Sequence, residues 1–235
     1  MTDTLVAPQT EAPAAAVQAT AGEGYSLSPK LVTLSAPLEG PAEAIRAMRT
    51  HIMARHVSQG RRALAVCAAS RSVGCSFIAA NLAISMSQIG VKTLLIDGNL
   101  RRPSIEYLIR PPAHRQGLVQ CLANPEANFL EHIDADILPD FSVMYAGGAE
   151  TNAQELLAGD RFRALIAYCL REYDITIIDT PSANSCSDAR RISTVVGYSL
   201  IVAGRDNTLV EDVKTLSREL EADHSRVVGS VLNQA

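Results

Sequence analysis

Three observations predict a doubly wound α/β domain with a mostly parallel sheet. Short apolar runs alternate with helix-length stretches from residue 62 to residue 233, the rhythm of successive βαβ units. Hydrophobic residues make up 47% of the chain, aromatics only 4%, and tryptophan is absent. Such Ala/Val/Ile/Leu-rich usage suits strands buried on both faces by helices. The 235 residues suffice for one stable core without disulfide or metal staples.

The elements follow in order. Residues 1–30 are rich in Ala, Pro, Thr and Glu; with little to bury, they predict a disordered arm ahead of a domain over 31–235. "PAEAIRAMRTHIMARHVS" (41–58) opens on proline and spaces Ile45, Met48, Ile52 and Met53 as a helix does. "RALAVCAA" reads as a strand, residues 76–89 as a helix stopped by Gly90, and "KTLLID" as the next strand. "LVQCLAN" is a short helix, "FSVMYAG" a strand, and "NAQELLAGDRFRALIAYCLREY" one or two helices. Then come strand "DITIIDTP", helix "SDARRISTVV", strand "GYSLIVAG", helix "LVEDVKTLSRELEAD" and strand "RVVGSVLNQ". There is no internal repeat.

Charge and composition exclude several function classes. A net charge of −4 with a pI near 5.7 offers no overall field for nucleic acid or acidic membranes. The five cysteines (67, 75, 121, 169 and 186) are odd in number and form no C-x-x-C pair. They read as small buried hydrophobes in a reducing compartment. No apolar run reaches membrane-spanning length and no secretory leader opens the chain. The expectation is a cytoplasmic protein.

The chemistry concentrates where "LAVCAA" gives way to "SRSVGCSF" (70–77). Strand, small-residue loop and helix start form the layout of a phosphate cradle: backbone N–H groups turn inward and the helix N-terminus attracts an anion. Gly74 and the hydroxyl of Ser76 fit it, but Cys75 stands where a G-x-x-x-x-G-K-[ST] loop carries lysine, and Ser72 where glycine is expected. Two further strands end on carboxylates, Asp97 in "LLIDGNLRRP" and Asp179 in "TIIDTPS". Both fall on the ligand-binding edge of such a sheet, where magnesium and an attacking hydroxyl are handled in phosphoryl transfer.

From residue 31 to 235 the chain resembles the bacterial tyrosine kinase ATPase domains of capsule and exopolysaccharide synthesis, relatives of the division-site and plasmid-partition ATPases. The resemblance runs through the loop at 67–77, "NLAISMSQIGVKTLLIDGNLRRPSI", "GLVQCL", "AGGAETNAQELL", "YDITIIDTPS", "SDA" and "VVGSVLN". It implies a Walker A loop at Ser72, Val73, Gly74, Cys75, Ser76 and Phe77, with Asn233 also on the nucleotide. It implies Asp97, Asn99 and Asp179 at the catalytic positions, and Mg²⁺ on Ser76 and Asp179. Glu43, Arg46 and Arg49 match the E-x-x-R-x-x-R pattern through which family members pack into rings. The bland alternative for that helix is a set of intrahelical ion pairs, each worth about 0.2–0.5 kcal/mol.

Three departures bear on activity. A neutral thiol at Cys75 cannot make the charge-assisted phosphate contacts of lysine, each worth about 1.5–3 kcal/mol. The amide of Asn99 replaces an aspartate and cannot act as a base. No tyrosine follows the last strand, where family kinases carry a tyrosine-rich tail. The first two changes neutralise opposite charges facing one nucleotide, so the pocket stays balanced while losing Mg-ATP. Arg71 or Arg101 could rescue some phosphate binding. At a helix N-terminus the Cys75 thiol could also have a depressed pKa and a redox role; the reading preferred here is an inert filler.

The expectation is therefore a pseudokinase with weak or lost activity and a weakened claim on ATP, ADP and Mg²⁺. It would self-associate, dock on a membrane-embedded polysaccharide copolymerase, and regulate polymerisation or export of a capsule or surface adhesin. The alternatives are an active kinase or ATPase using Asp97, Asp179 and Ser76, and a positioning ATPase of the division-site type.

Overall fold

The computed structural model describes residues 22–234. In chain order the elements are β1 (Ser26–Leu27), α1 (Val32–Ser35), α2 (Gly40–Arg55), β2 (Ala63–Ala68), α3 (Cys75–Ser87) and β3 (Thr93–Asp97). They continue with α4 (Ile105–Leu108), β4 (Ile109–Arg110), α5 (Leu118–Ala123), β5 (Asp134–Leu138) and β6 (Phe141–Met144). The last are α6 (Ala153–Ala158), α7 (Asp160–Glu172), β7 (Ile175–Asp179), α8 (Asp188–Val196), β8 (Tyr198–Gly204), α9 (Val210–Ala222) and β9 (Arg226–Asn233).

Seven strands form one sheet in the order β5-β6-β3-β7-β2-β8-β9, parallel except for β5, which runs antiparallel to β6. The predicted doubly wound fold is the one observed. Strand β2 shows why: all six of its residues are buried. Leu64 and Val66 enter the core under α2 and α3, while Ala65 and Cys67 enter the one under α5 to α9, as a period of two requires. Helix α7 presents Phe162, Leu165, Ile166 and Cys169 to the second core at helical spacing. Burying one such phenylalanine contributes about 2–3 kcal/mol.

Helix α3 is buried from Ile78 to Ser87 because α2 covers its outer side. Its Asn81 sits mid-helix without penalty because the amide is spent on tertiary bonds. Its Oδ1 accepts from Thr33 N and its Nδ2 donates to Lys30 O, at 3.3 and 3.1 Å.

The structure corrects some boundaries. Of the arm expected over 1–30, residues 1–21 lie outside the described residues, while residues 22–30 already pack on the domain: Gly22 N donates to Ile137 O at 2.8 Å. Strand β1 pairs with β4, and Tyr25 donates to Asp134 Oδ2 at 2.7 Å. Helix α2 stops at Arg55, where His56 leaves helical geometry, and a 3-10 turn (Val57–Gln59) follows, closed by Gly60 in a left-handed conformation, φ 75°. The stretch 153–172 is two helices, divided where Gly159 turns extended. Among the described residues no helix is long and apolar enough to cross a membrane.

Candidate functional site

The cradle forms at the C-terminal edge of the sheet. β2 delivers the chain into the loop 69–74, and α3 starts at Cys75 with Gly74 as its N-cap. The first bond back into the loop runs from Ile78 N to Gly74 O at 2.9 Å, so the N–H groups of Cys75, Ser76 and Phe77 precede the helix's own ladder and face the loop. Two residues carry the conformational burden. Gly74 has φ +85°, and a Cβ there would lie 2.1 Å from Asn233 Nδ2. Ser72 has φ 58°, the left-handed conformation for which glycine is the default. The serine noted in the sequence as out of place is thus held in a glycine geometry.

Asn233, at the end of β9, donates to Val73 O at 2.9 Å, tying the last strand of the sheet to the loop. We expect Gly74→Ala to cost about 1–3 kcal/mol, from the forbidden φ and the clash with that amide, seen as a lower urea midpoint. An unchanged midpoint would show that the loop relaxes freely.

Cys75 lines the cleft, but its thiol is spent on the backbone behind it. Its Sγ donates to Val66 O at 3.0 Å, back into β2. Burial, and then the nearby Asp179 carboxylate, push the thiol well above its ordinary pKa. Both effects favour the protonated thiol, in line with the filler reading.

The acidic floor is set by strand register, since Asp97 and Asp179 are paired positions of β3 and β7. Asp97 is almost wholly absorbed by structure. Its Oδ2 accepts from Ser104 N and Ile105 N at 2.8 and 3.0 Å, capping α4, and its Oδ1 accepts from Asn99 N at 3.1 Å. Asp179 Oδ2 accepts from Ser76 Oγ at 2.5 Å and from Ser104 Oγ at 3.3 Å, and the two hydroxyls lie 2.7 Å apart. Asp179 Oδ1 is buried with no partner. Burial raises both carboxyls, and for Asp179 the charge of Asp97 adds to the effect.

Three arginines (71, 101 and 102) line the cleft of about 310 Å³ between loop and floor, together with Asn99, Ser185 and Cys186. Arg101 is held by Asp188, at 2.7 and 3.4 Å, and Arg71 donates to Ser185 Oγ at 2.7 Å. Asn99 Oδ1 accepts from Arg102 N at 3.2 Å, so the amide closes a turn.

The loop residues and Asn99 line the cleft; Asp179 is joined to the loop through Ser76, Asp97 sits beside it in register, and Asn233 is tied to Val73. Glu43, Arg46 and Arg49 lie apart on α2. Arg46 pairs with Glu43 at 2.9 Å, and Arg49 turns inward to donate to Ser85 O at 2.9 Å. Sequence reasoning missed Ser104, Asp188 and Ser185. Ser104 directly follows "RRP" and Asp188 lies in "SDA", but nothing in either stretch shows that they meet Asp179 and Arg101.

The donors suit a hard cation only in part. Asp179 Oδ1 and the Ser76 hydroxyl are oxygen ligands of the kind Mg²⁺ takes. Among the described residues no group of three or more His, Cys, Asp or Glu could hold a metal ion, so phosphate oxygens would have to complete the shell.

No family model matches the chain. It is 28% identical over 193 residues to the putative tyrosine-protein kinase CapB of Staphylococcus aureus, covering 82% of this chain and 84% of that one. It is 29% identical over 199 residues to the tyrosine-protein kinase Etk of Escherichia coli K12, covering 84% of this chain but only 27% of that longer protein. Among solved structures, the chimerical protein CapA2B2 superposes with a TM-score of 0.80 at 28% identity, over 93% of this chain and 96% of that one. The cell division ATPase MinD of Pyrococcus furiosus shares the fold, with a TM-score of 0.63 at 19% identity over 73% of this chain and 71% of that one.

Proposed function

The chain is a homologue of the bacterial tyrosine-protein kinases, and on that footing we propose that it is a pseudokinase. It keeps the P-loop fold for assembly and partner binding in exopolysaccharide synthesis and has shed phosphoryl transfer. In this reading it acts in the cytoplasm, docks on a membrane-embedded polysaccharide copolymerase, associates with further copies through the α2 face bearing Glu43 and Arg46, and regulates polymerisation or export of the polymer.

The observation that carries the proposal is the Cys75 thiol, bonded to Val66 O at the position where the resemblance places the phosphate-bridging lysine. Removing one preorganised donor to a transferring phosphoryl group costs on the order of 10²–10³ in rate. With Asn99 in place of the second acid, no base stands at that position. The hydroxyls of Ser76 and Ser104 both donate to Asp179 Oδ2.

Calorimetry with ATP and ADP, with and without Mg²⁺, tests this together with a transfer assay. We expect weak nucleotide binding that gains little from Mg²⁺, and no γ-phosphate transfer to tyrosine. Transfer at ordinary kinase rates, abolished by Cys75→Ala, would overturn the reading. The second reading, an active kinase with an atypical loop, draws on one observation: Asp179 Oδ1 is buried without a partner, and a magnesium-bound water could supply one.

A further inference from the structure

At the opposite edge of the sheet, where β2, β8 and β9 begin, lies a small cleft unrelated to the phosphate loop. It measures about 140 Å³ and is lined by His51, Arg55, His56, Arg61 and Arg226, over a floor of Ile52, Val227 and Val228. No carboxylate lines it among the described residues. Of the described ion pairs, none uses Arg55, Arg61 or Arg226. In a chain of net charge −4, a cluster of one sign is a local arrangement and not a reflection of composition.

The cluster is held in place. Arg61 donates to Arg55 O at 3.2 Å, and its guanidinium lies 5.0 Å from the centre of the Tyr198 ring. His56 meets the same ring edge-on at 4.8 Å. Arg226 is brought alongside by the register of β9 against Tyr198. His51 and Arg55 are four apart on α2 and share its face.

The observation that points to a ligand is His56. The residue is 1% exposed, and its Nε2 lies 3.0 Å from Ala63 O, which fixes the N–H on that nitrogen. Its Nδ1 is buried and has no partner. Burial, with Arg61 adding, holds the ring below the usual histidine pKa, so in the free protein Nδ1 is an acceptor that no described residue answers; an anion beside it would favour the protonated ring, in which Nδ1 donates. The simplest structural role for the arginines is to neutralise the partial negative charge at the C-terminus of α2. That accounts for Arg61 and Arg55, but not for Arg226 from β9 or the bare Nδ1.

We propose that this cleft binds a phosphate-class oxyanion, held by the guanidinium groups of Arg55, Arg61 and Arg226, with His56 taking up a proton at Nδ1 as the anion binds so that this nitrogen donates to it. Guanidinium forks match phosphate oxygens, and the volume admits one or two phosphate groups but no nucleoside. The same chemistry is presented by free phosphates and by the headgroups of anionic lipids.

The experiment is a titration of the full-length ¹⁵N-labelled protein with pyrophosphate at low salt, followed by amide shifts. Saturable shifts are expected at residues 55–61 and at 226, with the His56 ring nitrogens moving toward the imidazolium position. The Arg55→Gln/Arg226→Gln double variant, both sites exposed and so neutral to folding, should bind at least tenfold more weakly at this cleft while any shifts at 72–77 stay unchanged. Shifts confined to the phosphate loop, or wild-type affinity in the double variant, would overturn the proposal. Co-sedimentation with vesicles of phosphatidylcholine, alone or mixed with phosphatidylglycerol, separates the sources. Pelleting that needs phosphatidylglycerol and is lost in the double variant identifies a lipid headgroup. Pyrophosphate binding without pelleting identifies a free phosphate.

Discussion

Cys75→Lys combined with Asn99→Asp is expected to raise affinity for Mg-ATP by about 10²-fold, from one or two restored charge-assisted contacts of about 1.5–3 kcal/mol each. The wild-type thiol donates to Val66 O, and that carbonyl belongs to a strand already paired on both sides, so releasing it carries little penalty. A lysine there also gains a counter-ion. The Asp179 carboxylate that pushes the Cys75 thiol up would hold an ammonium charged, and the ammonium would in turn favour ionised Asp179. Calorimetry of the pair and of each single variant gives the coupling directly. If the pair gains no affinity, the cleft has diverged elsewhere, and Ser72, in a left-handed conformation, is the first place to look.

The second large effect concerns stability and pH. Burial raises Asp179 to about 7, with the Asp97 charge adding, and raises Asp97 to about 6 against its three backbone donors. A group raised above its unfolded value contributes stability that is fully present below the unfolded pKa, about 3.9. That contribution is lost as pH rises through the folded value. In chelator-treated, nucleotide-free buffer, the contribution of this pair therefore falls between pH 5 and pH 8, by about 2 kcal/mol or a thermal midpoint shift of roughly 5 °C. His56, held neutral by burial, works in the opposite sense, so the readout is the difference between wild type and Asp179→Asn. The variant should match or exceed the wild type at pH 8 and lose its advantage by pH 5. A difference independent of pH would show that Asp179 is ionised throughout, stabilised by the Ser76 and Ser104 hydroxyls.

Much of this was readable from the residues alone, and the reasons divide by physics. Strands β2, β3 and β7 are buried along their whole length, so their apolar runs stand out against any background. Helix α7 is amphipathic and equally plain. What escaped was short or polar. Strand β5 carries Asp134 and Asp136 among its five residues and pairs antiparallel at a sheet rim, where one side faces water. Strand β1 has two residues and forms only because β4 and Asp134 are there to meet it. Phosphate loop and acids were legible because their spacing is local to strand ends. Ser104 and Asp188 were not, because their roles depend on contacts 75 and 87 residues away along the chain.

The register of β3 against β7, Asp97 beside Asp179, works as a ruler. Parallel strands lie about 4.8 Å apart, and the runs flanking the two acids are wholly buried, so neither strand can slip without turning its apolar side chains to the wrong face. The separation of the carboxylates is thereby dictated by the hydrophobic core, while the positions that differ from the kinase pattern, 72, 75 and 99, all sit outside those strands. The sheet's core therefore sets the spacing of the two acids whatever residues occupy the loop positions above them.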